Sequence, residues 1–145
     1  SVYHEDASAV PEAVKKAVQE RYPDATVRYY EYERYDDGRY VHEVELKGAD
    51  GTEMEVSLYP DGQLKYAEKP MAIDALPQKV RDTVQSKVPG GTIDEVEVKE
   101  GPEMYQLHVR VKTSGNGDHY LTFTRDHTMM HHQIRYPAFI EVPAP

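Results

Sequence analysis

The residues best suited to chemistry are histidines and methionines near the C-terminus. His119, His127, His131 and His132 lie within a short stretch, with Met129 and Met130 between them. Imidazole nitrogen with thioether sulfur suits copper, and imidazole alone suits zinc. If Asp126 marks a hairpin, His119 and His131 fall diagonally on one face of neighbouring strands, with His127 and Met129 nearby. His132 then points the other way, so HTMMHH is not one ligand cluster. The bland reading makes His131 a half-buried aromatic substitute and the rest exposed polar groups. His42 reads as a core histidine, and His108 points outward in line with Arg110.

Two other sets are chemically suggestive. Asp36, Asp37, Asp50, Asp61 and Asp126 offer oxygen to a hard cation such as calcium or a lanthanide. None has calcium-loop spacing, and Asp-Gly is what a tight turn needs anyway. Tyr29, Tyr30, Tyr32 and Tyr35 interleave with Glu31 and Glu33. Parity puts Tyr29 and Tyr35 with the two glutamates on one strand face. Tyr30 and Tyr32 share the other with Arg28 and Arg34. Tyrosine is enriched in protein interfaces, though it also suits a half-wet sheet face. Glu43 and Glu45 share a face, but paired acid catalysts need a cleft that separates their pKa values. No GxSxG, HExxH, P-loop or Gly-rich dinucleotide turn is present. The expectation is a protein that is not an enzyme.

The elements that carry these residues follow from a repeat. Residues 10–27, VPEAVKKAVQERYPDATV, return 66 positions later as residues 76–93, LPQKVRDTVQSKVPGGTI. Pro11, Val14, Val18, Gln19, Pro23 and Thr26 match Pro77, Val80, Val84, Gln85, Pro89 and Thr92 without a gap. Such self-similarity signals two copies of one structural unit. Val10, Ala13, Val14, Ala17 and Val18 form one apolar helical stripe, as do Leu76, Val80, Val84 and Val88. Ser8 and Asp74 suit the N-cap positions, with the prolines in the first turn. Pro23 and Pro89 should stop the helices near Tyr22 and Val88.

Strand-like runs follow each helix. In the first copy, turns at Asp36-Asp37-Gly38, Asp50-Gly51 and Asp61-Gly62 separate residues 26–35, 40–47, 53–58 and 64–66. Tyr40, His42, Val44 and Leu46 alternate inward against Val41, Glu43 and Glu45, and Met54, Val56 and Leu58 continue the inward set. The second copy repeats the scheme, with Tyr105, Leu107, Val109, Val111, Leu121 and Phe123 inward. The expectation is α+β: two tandem repeats, each a helix on a four-stranded antiparallel β-meander, which could join into one larger curved sheet. The repeats span 8–68 and 74–136, preceded by a frayed lead-in. A stiff tail, 137–145, either packs by Phe139 and Ile140 or hangs free.

Composition narrows the function classes. The 145 residues carry a formal charge of −9 and no cysteine. Mean hydropathy is −0.76. There is no Lys/Arg cluster, which argues against nucleic acid and anionic membranes. Basic proteins or cations fit better, although an acidic surface also simply solubilises. Without cysteine there is no disulfide framework, zinc ribbon or thiol nucleophile. No apolar run is long enough for membrane insertion.

Laid out this way, the chain resembles the PepSY-like family, whose fold is akin to that of the β-lactamase-inhibitor protein. The likeness rests on Leu76-Pro77 with Val80 and Val84, on Tyr22-Pro23-Asp24-Ala25, on the run Tyr40 to Leu46, and on Asp61-Gly62 with Leu64. It covers roughly residues 8–136. The second copy departs, with Val88 for Tyr22 and His127 for Gly62. The resemblance implies tandem helix-on-sheet units and export to the periplasm or beyond. It also implies a non-catalytic binding or inhibitor-like role towards a protein or peptide. No cofactor is expected. The rival is a metal-binding protein, taking copper or zinc on the histidine–methionine set or calcium or a lanthanide on the acidic turns.

Overall fold

The structure, a computed structural model, describes residues 2–4, 10–139 and 141–145. It is α+β. The elements are β1 (Val2–His4), α1 (Glu12–Arg21), β2 (Thr26–Arg34), β3 (Tyr40–Lys47), β4 (Glu53–Leu58), β5 (Leu64–Pro70), a 3-10 turn (Ile73–Ala75), α2 (Gln78–Lys87), β6 (Thr92–Gly101), β7 (Met104–Lys112), β8 (Asp118–Phe123) and β9 (Met129–Arg135). Two compact units result. Unit 1 is Ser1–Pro70 with Glu97–Tyr105, and unit 2 is Met71–Val96 with Gln106–Pro145. Residues 97–105, assigned to the second repeat on sequence, therefore belong to unit 1. Their tie is the antiparallel register of β5 with the end of β6, Ala67↔Glu100 to Pro70↔Glu97.

The helices form where the apolar spacing demands. In unit 1, Val10, Val14 and Val18 lock onto Val44, Leu46, Val56 and Leu58, all nearly excluded from solvent. Each such side chain stabilises the fold by about 1.5–3 kcal/mol relative to exposure. In unit 2, α2 buries Val80 and Val84, and Leu107, Val109, Val111, Leu121 and Phe123 are buried from the strands. The helices end as expected: Tyr22 (φ −134°, ψ 63°) and Val88 (φ −132°, ψ 71°) leave helical geometry just before Pro23 and Pro89. The N-termini differ from expectation. Pro11 and Pro77 are themselves the N-cap residues, without side-chain caps. Asp74 lies instead in the 3-10 turn, where the Ile73 carbonyl, and that of Leu76 just after the turn, accept hydrogen bonds from Arg81. The Ser8 assignment lies outside the described residues.

Three further corrections concern packing. The lead-in is not frayed throughout, because β1 pairs antiparallel with β2, Val2↔Tyr32 to His4↔Tyr30. Those bonds satisfy backbone groups of β2 that would otherwise form an open edge. Tyr40, expected inward, is 42% exposed, whereas Val41, expected outward, is 1% exposed. In the tail, Phe139 is 89% exposed and does not pack, and Ile140 lies outside the described residues.

Candidate functional site

Four turns share one construction, and it explains the acidic residues. In 35–39, 48–52, 59–63 and 124–128 the first N–H bonds the last carbonyl at 2.7–2.8 Å. The fourth residue is left-handed: Gly38, Gly51, Gly62 and His127. The aspartate before it accepts the backbone N–H two residues on, as Asp37 does from Arg39, Asp50 from Thr52, Asp61 from Gln63 and Asp126 from Thr128. These bonds hold the Asp37 and Asp50 carboxyls below the usual carboxylate range, and Asp126 is held below it first by the Thr124 and Thr128 side chains. The carboxylates of Asp37, Asp50, Asp61 and Asp126 are thus engaged by their own loops. Among the described residues, no group of three or more His, Asp or Glu side chains is placed to hold a metal ion.

The histidine set is rearranged by one residue. Phe123 pairs with Met129, but Thr122 pairs with His131 and Leu121 with His132. Met130 is therefore bulged out, and a one-residue slip turns every following side chain to the other face. His131 faces with Thr122 and is exposed, while His132 joins the face of Leu121. There His132 Nε2 lies 2.8 Å from His119 Nδ1, with ring centroids 5.1 Å apart. The two nitrogens point at each other, as in an N–H···N hydrogen bond. Burial, then His119 and Lys87, hold the His132 pKa below its ordinary value. His127 sits in its turn at φ 65°. The predicted grouping of His119 with His131 is not formed.

In unit 1 the alternation of β2 separates the tyrosines. A bulge between Val27 and Tyr29 sets the phase. Tyr30 packs against the core on the helix side. Tyr32 also turns that way, its ring 6.4 Å from His42, which is itself 5.6 Å from Tyr40. His42 is buried, as a core histidine should be. Tyr30 and Tyr32 are thus drawn off from the predicted docking set. Tyr29, Glu31 and Glu33 take the far face, away from α1. Tyr35, just past β2, accepts a hydrogen bond from Lys65, whose ammonium lies 4.6 Å from its ring centre.

The far face carries an acid row that sequence reading did not find. Register aligns Tyr29, Glu45, Glu55, Glu68 and Lys99 across β2 to β6. The adjacent row runs Glu31, Glu43, Ser57 and Tyr66. Like charges directly opposite destabilise a sheet. Relief comes from protonation: burial, then the neighbouring Glu43, push Glu55 up to about 8, and its carboxyl hydrogen-bonds Glu43. Burial also raises Glu45, which Tyr29 partly offsets by a hydrogen bond. The Tyr66 hydroxyl donates to Glu43 at 3.3 Å, and burial with the same glutamates pushes its pKa up. Lys99 lies over the Tyr66 ring at 4.1 Å. Ser57 is fully buried and its hydroxyl has no hydrogen-bond partner. A shallow groove at the row is lined by Glu45, Glu53, Glu55, Glu68, Lys69 and Glu97, among others. The 48–52 turn fixes the register of β3 with β4, so pairing those strands on paper would have aligned Glu45 with Glu55; Glu68 joins the row only through the register shift between β4 and β5.

Residues 50–131, more than half the chain, match the family described as "Putative beta-lactamase-inhibitor-like, PepSY-like". The chain belongs to the PepSY-like family. Residues 11–59 of this PepSY-like protein also match the family described as "Peptidase propeptide and YPEB domain". Among solved structures it is similar to a BLIP-like protein from Bacteroides fragilis, at 21% identity and TM-score 0.60, covering 92% of each chain. It is also similar to a DUF2874 family protein from Bacteroides ovatus, at 17% identity and TM-score 0.64 over 87% of this chain and 88% of that one. A third, described as a putative periplasmic protein from Bacteroides eggerthii, shares 19% identity with TM-score 0.63 over 86% and 88%. These likenesses concern the fold. No curated protein matches the chain.

Proposed function

We propose that this PepSY-like protein is a non-catalytic, exported binding module that docks a protein or peptide on the far face of unit 1. The carrying observation is the juxtaposition of Tyr29 with the Glu45, Glu55 and Glu68 row, which offers aromatic area and negative charge together. A formal charge of −9 favours a basic partner and faster encounter with it. Export accords with the periplasmic description of the Bacteroides eggerthii structure. Among the described residues no helix is long and apolar enough to cross a membrane. The two helix-and-meander segments read as copies of one unit, since α1 and α2 share length, cap conformations and spacing.

The test is capture from the source organism's envelope fraction, with the paired substitution of Tyr29 and Tyr35 by alanine. Each hot-spot tyrosine should cost more than about 1 kcal/mol of binding. The same substitution at Tyr30 and Tyr32 should act through stability instead. Capture by the wild type that survives loss of Tyr29 and Tyr35 undiminished sinks the docking reading.

A metal-binding reading keeps one specific support, the approach of His119 to His132. Zinc or copper would have to turn both nitrogens towards a common ion at about 2.0 Å from each. Melting of chelator-stripped protein with zinc, copper, calcium or a lanthanide tests it. A shift abolished by His132→Ala but not by His131→Ala supports that pair, and no shift refutes metal binding.

A further inference from the structure

We propose that the outer edge of β9, from His132 to Arg135, takes an extended segment of a partner protein as an added antiparallel strand. The segment sets carboxylates opposite His132 and Arg135 and an apolar residue opposite Ile134. This edge belongs to unit 2, and the inference does not rest on the docking face of unit 1.

β5 and β9 share one construction. Leu58 pairs with Leu64 and Ser57 with Tyr66, which sets Lys65 aside. Phe123 pairs with Met129 and Thr122 with His131, which sets Met130 aside. Past the bulge, Ala67, Glu68, Lys69 and Pro70 of β5 therefore stand where His132, Gln133, Ile134 and Arg135 stand in β9. In unit 1 the outer edge of these positions is closed, because they pair with Glu100, Lys99, Val98 and Glu97. In unit 2 the same edge is open. β9 stands last in the strand order and, among the described residues, pairs with β8 alone. Unpaired edge N–H and C=O groups are a template for a further strand. A bulge can blunt an edge, but the bulge at Lys65 precedes a closed edge, so the one at Met130 is no barrier.

The side chains say what kind of strand fits. In a chain of formal charge −9, residues 127–140 hold no Asp or Glu. Lys87 adds positive charge beside His132. The Arg135 guanidinium lies 4.1 Å from the Tyr120 ring centre. Asp118, the register partner of Arg135, is engaged by Lys112 at 3.1 Å. Ile134 is 43% exposed. Opposite charges across paired strands stabilise them. The strand that closes β5 already has the matching pattern. Laid on β9 in the same register, Glu97, Val98 and Glu100 would stand opposite Arg135, Ile134 and His132. Gly101 follows, where a Cβ would lie 1.8 Å from the Lys65 carbonyl oxygen. The added segment therefore needs glycine where it passes the Met130 bulge.

The probe is the end-blocked peptide Glu-Val-Lys-Glu-Gly at millimolar concentration, added to the full chain. The controls are the charge-reversed Lys-Val-Glu-Lys-Gly and the probe with its backbone nitrogens methylated, which cannot donate main-chain hydrogen bonds. The readout is backbone amide shifts by NMR. The expected result is a saturable response centred on His132–Arg135. It should be at least about fivefold weaker with the charge-reversed peptide and absent with the methylated one. Arg135→Glu should lower the affinity for the probe at least about fivefold, while Lys16→Glu on the exposed side of α1 leaves it unchanged. No saturable response, an equal response to either control, or a response confined to β5, where the probe would be displacing β6, overturns the proposal. Self-association of the peptide-free protein in sedimentation, with β9 amides shifting on dilution, also overturns it and gives the edge to a second copy.

Discussion

The carboxyl of Glu55 gives the sharpest test of the far face, because its charge state sets how stability depends on pH. The perturbation is Glu55→Gln, which keeps size and hydrogen-bonding capacity and fixes the neutral state. In the folded protein Glu55 is raised from 4.5 to about 8 by burial and by Glu43, Glu45 and Glu68. The unfolded chain releases its proton near 4.5, the fold only near 8. Between those values the folded state holds more protons, so stability falls as pH rises through this window. The contribution is fully present below about pH 4.5 and is lost above 8.

A rise from 4.5 to about 8 would, without screening, correspond to about 5 kcal/mol, at about 1.4 kcal/mol for each tenfold change in proton affinity. Glu55 is only half-buried, so water and salt screen much of that, and about 1–2 kcal/mol is the reasonable expectation. For a chain of this length, that is a melting shift on the order of 3–6 °C. The assay is thermal unfolding of wild type and E55Q from pH 5 to 9 at fixed ionic strength. The wild type should lose melting temperature relative to E55Q as pH rises, with the two closest at pH 5. Parallel curves would refute the raised pKa, and a wild type that gains on E55Q with pH would refute the sign.

Other expectations are shorter to state. His132 is depressed by burial, His119 and Lys87, so the fold prefers it neutral, and stability should fall as pH drops through about 6.5. His132→Asn should flatten that step in a melting series from pH 8 to 5. His127 holds a left-handed conformation at φ 65°, where the related turn has Gly62. His127→Gly should therefore raise stability by about 0.5–1 kcal/mol in denaturant unfolding, and leave any metal response unchanged. A Cβ on Gly101 would lie 1.8 Å from the Lys65 carbonyl oxygen. Gly101→Ala should cost about 1–3 kcal/mol by forcing β5 and β6 apart. Phe123 is wholly buried, and Phe123→Ala should cost about 3–5 kcal/mol.

What could be read from the chain, and what could not, divides along a physical line. Helix faces and helix ends were legible because valine spacing and proline act within one turn of the chain. The four Asp-containing turns were legible for the same reason. The strands' faces were legible only as far as the first bulge. Past Met130, one extra residue reverses the parity, so His132 and not His131 meets His119. A bulge stands at the corresponding place in unit 1, between Ser57 and Leu58 in register, and Lys65 is the residue set aside. It puts Tyr66 opposite Ser57 and next to Glu43 instead of in the helix-side core. The same irregularity thus makes a histidine pair in one unit and completes the acid face in the other. Neither follows from residue types alone, because a bulge is a property of two strands and their turn. The acid row adds a second lesson. Three glutamates spread over twenty-four positions are unremarkable in sequence. They become a site only when two hairpins bring Glu45, Glu55 and Glu68 into one line, and their mutual repulsion then makes that line the place where a cation is most useful.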